Sequence, residues 1–159
     1  MIVTTVNVSQ STIKDTINRN IDLLGNKCNL NFIDTELITS MHYMFDCSKF
    51  NGDISDWDVG NVTDMMHMFY ESGFNGDISN WNVGNVTDMG FMFKNAKFNG
   101  DISNWDVENV TNMMFMFYRS KFDGDISNWD VRNVTRISSM FYGCPLENRP
   151  EFQPKFNKE

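Results

Sequence analysis

One phrase recurs along most of this chain, and no other feature restricts the fold so strongly. FNGDISDWDVGNVTDM begins at Phe50, and near-copies begin at Phe74, Phe98 and Phe122, 24 residues apart. Trp57, Trp81, Trp105 and Trp129 fix the register. Ile54, Ile78, Ile102 and Ile126 form one apolar column, Val59, Val83, Val107 and Val131 a second, and Val62, Val86, Val110 and Val134 a third. Met44, Met68, Met92, Met116 and Met140 each precede a phenylalanine. A period in the range of roughly 20–50 residues marks units that cannot bury their own apolar faces and must stack on their neighbours. Such a chain is not organised around one catalytic pocket.

Two patterns alternate inside a unit. Ile-x-x-Trp-x-Val-x-x-Val has the spacing of a leucine-rich repeat, and its Trp-x-Val centre has the two-residue period of a short strand with both side chains turned into the core. Met65, Met68 and Phe69 follow at i, i+3 and i+4, one face of a helical turn, with Thr63 or Asp64 placed to cap it. Asn75-Gly76-Asp77 and its equivalents supply the turn into the next strand. One period upstream, Leu30, Ile33 and Ile38 occupy the Ile, Trp and Val columns of a degraded first unit. Ile13, Ile17, Ile21 and Leu24 mark one helical face between Ser11 and Gly25, the cap that an open stack needs. At the far end GCPLENRPEFQPKF breaks the pattern with prolines and reads as a C-terminal cap or tail.

These residues resemble the repeat of the mycoplasma-lipoprotein type, found in BspA-like leucine-rich-repeat surface proteins, with MF…FNGDISNWDVxNVTDM as the shared phrase over residues 29–145. The resemblance implies surface-exposed or secreted proteins that bind host or other proteins and carry no enzyme activity. The period of 24 differs from the 25 often seen in that family, and no signal peptide or lipoprotein cysteine is present. The expected fold is α/β: a leucine-rich-repeat-like right-handed solenoid of about five 24-residue coils, each a short parallel strand plus a short helix, with an N-terminal helical cap. The expected division is a cap over residues 1–28, the repeats over 29–145 and a cap or tail over 146–159.

Composition narrows the partners. Thirteen basic against 21 acidic residues give a formal charge of −8, which repels nucleic acid and anionic membranes where no basic face exists. No window approaches the ~18 apolar residues of a membrane span, and the first residues lack the basic and apolar regions of an export signal. The sequence itself therefore reads as a soluble chain, whereas the resemblance implies the cell surface or secretion. Cys28, Cys47 and Cys144 form no CxxC pair and read as small, mostly buried apolar side chains; a Cys28–Cys47 bridge is the alternative in an exported protein.

Catalytic and metal chemistry find little support. His42 and His67 are the only histidines, and they read as surface residues without converging partners. Asp53, Asp77, Asp101 and Asp125 should stack about 4.8 Å apart and would repel, which calcium would relieve; ordinary turn-forming aspartates are the simpler reading. The four Asn-Val-Thr sequons from Asn61 to Asn133 serve the turn in the same simpler reading. No cofactor is expected. Positions that vary while the scaffold repeats point instead to binding. Tyr43, His67, Phe91 and Phe115 should form an aromatic column on the convex side, either exposed or packed as core. Phe91, Phe115, Tyr70, Tyr118, Arg119 and His67 are the candidate protein-binding residues. The opposite face, with Asp56, Asn80, Asn104 and Asn128 beside Asp58, Asn82, Asp106 and Asp130, should be a flat acidic lattice. The expected function is non-enzymatic, adhesion-type binding of another protein. The alternative is a structural or self-assembling scaffold, a homo-oligomer without an external ligand.

Overall fold

The computed structural model describes residues 5–156. Its first elements are β1 (Val6–Asn7), α1 (Ile13–Leu24) and β2 (Ile33–Asp34), with β1 and β2 paired in parallel. In α1, Ile13 and Ile17 are buried one turn apart, the Ser9 carbonyl accepts the N–H groups of Thr12 and Ile13, and Gly25 ends the helix at φ 88°. Leu24 belongs to the same apolar spacing yet is 60% exposed. Ile21 is already only half-buried, so the last turn of α1 runs past the edge of the core.

From Leu30 onward the 24-residue units lie one against the next. Equivalent side chains form continuous buried columns, including Trp57 to Trp129, Phe50 to Phe122 and Met41 to Met113. Leu30, Ile33 and Ile38 are all buried, and the Leu30 carbonyl accepts the Trp57 indole N–H as the Ile54 carbonyl accepts that of Trp81.

Both local expectations inside the unit need correction. Parallel pairing between units falls at Ser40, Asp64, Asp88, Asn112 and Arg136, the last four seven residues beyond the tryptophans, and once at Asn29 with Asp53, rather than at Trp-x-Val. The segment from Met65 to Ser72 is a run of turns rather than a helix. Met68, Tyr70 and Ser72 donate to the carbonyls three residues back, while Met65, His67, Phe69 and Glu71 donate to Asp88, Gly90, Met92 and Lys94 of the next unit at 2.8–3.1 Å. Two left-handed residues per unit make this possible: Tyr43, His67, Phe91, Phe115 and Ser139 have φ of 53–59°, and Cys47, Glu71, Asn95 and Arg119 have φ of 51–56°. Each inversion turns alternate N–H groups out of the helical direction and toward the neighbouring unit. Met65, Met68 and Phe69 still share one buried face, so the spacing identified burial but not backbone geometry.

Spacing between units explains where the main-chain ladder lies. Ring centroids of equivalent residues are 5.0 Å apart for Phe91 and Phe115, 5.6 Å for Phe69 and Phe93, 6.3 Å for Phe74 and Phe98, and 6.5 Å for Trp57 and Trp81. The stack fans open toward the tryptophans. Adjacent strands need a separation near 4.8 Å, which the narrow side offers along the whole stack and the Asn29–Asp53 pair reaches between the first two units. On the wide side, side chains span the gap instead: each indole donates to a carbonyl of the preceding unit, and Asn61, Asn85, Asn109 and Asn133 donate to Glu36, Gly60, Gly84 and Glu108 carbonyls at 2.6–2.8 Å. The aromatic column expected on the convex side therefore stands on the narrow, concave side.

After the last unit, two 3-10 turns, Pro145–Asn148 and Pro150–Phe152, cross the end of the stack. Leu146 is buried, the Phe152 carbonyl accepts the Ile126 N–H, and Arg149 pairs with Asp123 while lying over the Phe152 ring. The three cysteines are free: Cys144 is buried, Cys28 half-buried and Cys47 exposed. Cys47 departs from the expectation because it occupies the left-handed turn position that Glu71, Asn95 and Arg119, all exposed, hold in later units.

Candidate binding face

Two adjacent columns build the candidate face. The inner one runs Tyr43, His67, Phe91, Phe115, with successive rings 4.5, 4.5 and 5.0 Å apart and within 25° of parallel. Tyr43 is 39% exposed, whereas His67, Phe91 and Phe115 are half-buried. The column is thus neither free surface nor core: the rings spend their faces on one another and turn their edges outward. Ring edges carry the positive end of the aromatic quadrupole, so this column presents an anion-tolerant rim rather than a flat stacking platform.

The outer column runs Asp46, Tyr70, Lys94, Tyr118, Tyr142. Lys94 Nζ lies 5.2–5.5 Å from the ring centroids of Tyr70, Phe91, Phe115 and Tyr118. Arg119 repeats the arrangement one unit on, its guanidinium 5.3 Å from Tyr118 and 6.0 Å from Tyr142. A cation over a ring face, as Lys94 is for Tyr70 and Tyr118, is held by the quadrupole at about 0.5–1 kcal/mol where exposed. The stacked Phe91 and Phe115 rings meet Lys94 from the side. All six candidate residues, Phe91, Phe115, Tyr70, Tyr118, Arg119 and His67, fall within this one patch. Sequence reasoning missed Lys94. The available signal was a single basic residue in a column that otherwise holds tyrosine and aspartate.

The histidines lie at the patch margin. His42 Nδ1 is 3.6 Å from an Asp64 carboxylate oxygen, and its ring centroid is 5.8 Å from that of His67. Burial, reinforced by His42, holds the His67 imidazole below its ordinary pKa, so it is neutral at pH 7. Among the described residues no three His, Cys, Asp or Glu side chains converge as a metal site.

The opposite face is polar and exposed. Asp53, Asp77, Asp101 and Asp125 each accept the backbone N–H of the serine two residues on, at 2.9–3.0 Å, and the serine hydrogen bonds hold these carboxyls below the usual range. Asp58, Asn82, Asp106 and Asp130 close similar turns onto Gly60, Gly84, Glu108 and Arg132. These carboxylates serve their own backbone. The sequon asparagines are likewise engaged, each in the carbonyl bond to the preceding unit.

No helix of the described residues is long and apolar enough to cross a membrane. No curated protein and no solved structure matches the chain. The model of one protein family, described as Mycoplasma protein of unknown function, DUF285, matches it twice, over residues 12–120 and 74–151, in segments that overlap across the repeats. The chain belongs to the DUF285 family.

Proposed function

We propose that this protein is a non-enzymatic recognition module, a leucine-rich-repeat-like solenoid of BspA-like type that binds another protein at a cell surface. The observation that carries this reading is the placement of Lys94 among Tyr70, Phe91, Phe115 and Tyr118, continued by Arg119 over Tyr118 and Tyr142. Aromatic and arginine side chains concentrate interface energy, and here they form one contiguous strip on a scaffold whose other face repeats almost unchanged. In a chain of charge −8 a strip with two cations at its centre selects an acidic surface on the partner. The acidic face maintains solubility and repels other acidic surfaces.

Beads coated with the protein and applied to cultured host cells test the reading. Replacing Lys94 and Arg119 with glutamine should lower attachment at least tenfold while leaving the melting temperature within a few degrees, because both side chains reach solvent. Attachment lost only on neutralising Asp56, Asp58 and Asp106 would transfer the function to the other face. A mass in solution that rises with concentration, together with no attachment, would favour the scaffold reading.

A further inference from the structure

Each unit except the last passes its main-chain N–H groups forward. Met41, Tyr43, Phe45 and Cys47 donate to the second unit, and the same four positions donate in each of the next three. In the last unit Gly143 donates to the Glu147 carboxylate at 2.8 Å, but Ile137, Ser139 and Phe141 find no acceptor among the described residues. Their own carbonyls are already taken by the N–H groups of Met140, Tyr142 and Cys144. Ser139 nonetheless keeps the left-handed φ of 53° that aims these donors outward. The end of the stack is therefore a row of three donors at alternate residues with no acceptor between them. The 3-10 turns cover the Ile126 side and leave this row uncovered.

Charge changes sign at the same place. Arg136 stands where Asp64, Asp88 and Asn112 stand in earlier units, and Arg119, which borders Gly143, stands where Glu71 and Asn95 do. Both arginines are exposed. Successive N–H groups in alternating right- and left-handed conformation attract carbonyl and carboxylate oxygens.

We infer that the Ile137–Phe141 edge docks an acidic, extended segment of another polypeptide, which supplies main-chain carbonyls at alternate residues as a further unit would. Two copies meeting through this edge would set donors against donors, so symmetric pairing fails. The matching end of a second copy is partly covered by its own cap: Gln10 Nε2 takes the Ser40 carbonyl, the first acceptor position, and Lys14 Nζ is bonded to the Tyr43 carbonyl, between the acceptor positions His42 and Met44. The inference shares Arg119 with the aromatic strip, but its test reads Arg136 and the Ile137–Phe141 amides, which the strip does not use.

The probe is a synthetic peptide of residues Asn61–Ser72, whose carbonyls at Asp64, Met66 and Met68 have the required spacing and whose Asp64 would fall over Arg136. In the free protein the amides of Ile137, Ser139 and Phe141 should exchange with solvent at least about 100-fold faster than those of Met113, Phe115 and Phe117. Millimolar peptide should shift the NMR signals of the first three and slow their exchange. Arg136→Glu should weaken the effect at least tenfold, and a peptide with lysine in place of Asp64 and Glu71 should not produce it. Three results overturn the inference: these amides already protected in the free protein, no shift at excess peptide, or the same shifts produced by raising protein concentration alone, which would seat a second copy there.

Discussion

Trp105 shows what one side chain does in this repeat. It is buried against Phe93 and Trp129, and its indole N–H donates to the Ile78 carbonyl at 3.1 Å across a gap too wide for a main-chain ladder. Trp105→Ala should cost about 3–5 kcal/mol in urea unfolding, since a large cavity opens. Trp105→Phe keeps most of the ring and removes one of two hydrogen bonds to the Ile78 carbonyl, which the Trp81 N–H still occupies, so about 0.5–1.5 kcal/mol is expected. A negligible cost for Trp105→Phe would mean that the hydrogen bond contributes nothing. The Asp-Ser turns make a second residue-level case. Because serine hydrogen bonds depress the carboxyl pKa of Asp77 and Asp101 in the folded state, the unfolded chain binds more protons as pH falls. Their contribution is complete well above the unfolded value near 4 and is lost as pH drops through the depressed folded values. Melting temperature should therefore fall below pH 4, and the double variant Ser79→Ala, Ser103→Ala should start lower and fall less. Parallel curves for parent and variant would remove the serine hydroxyls from the acid response, the backbone N–H bonds being kept by alanine.

At the scale of the element, the apolar columns were legible and the backbone between them was not. Column membership follows from a period of 24 counted on large side chains, and burial of Ile54, Trp57, Val59, Met65 and Phe69 agrees with it. The i, i+3, i+4 spacing of Met65, Met68 and Phe69 is equally compatible with a helix and with successive turns. What decides between them is the pair of left-handed residues four apart in each unit, and His67, Phe91 and Glu71 are poor sequence markers for that conformation. Nor does a pattern of one unit reveal that neighbouring units fan apart, which is why the ladder appears at Asp64 and not at Trp57. The candidate face was legible as variable aromatics, but Lys94 emerged only once the columns were set side by side. Glu71 tests the turn directly. Left-handed geometry costs a side-chain residue about 1–2 kcal/mol, and a β-branched one more. Glu71→Gly should therefore be at least as stable as the parent despite losing the bond from Asn95, whereas Glu71→Val should be destabilised by more than about 1 kcal/mol. Thermal denaturation of the pair checks this, and a helix at this position would give the opposite order.

For the whole molecule, stability should scale with the number of units, because each contacts chiefly its neighbours. The hydrogen bonds repeat with the period: Met65 donates to Asp88 as Met89 does to Asn112, and Lys97 donates to Ser72 as Lys121 does to Ala96. Removing residues Phe74–Lys97 would join Gly73 to Phe98 and place Trp57 beside Trp105, Phe69 beside Phe117 and Asp64 beside Asn112. Every buried column survives that splice intact. The shortened chain should fold, and its denaturant m-value should fall by roughly 15%, in proportion to the surface no longer buried. It should also lose Lys94 and Phe91, so a folded product doubles as a test of the aromatic strip in the attachment assay. Removing one residue fewer, Phe74–Ala96, leaves the junction a residue out of phase. Alternate N–H groups then face the wrong unit, and Met113 and Phe117 are rotated off the core. That variant should unfold or lose cooperativity. If both deletions fold equally well, the period does not govern stacking and the repeat architecture proposed for this chain is wrong.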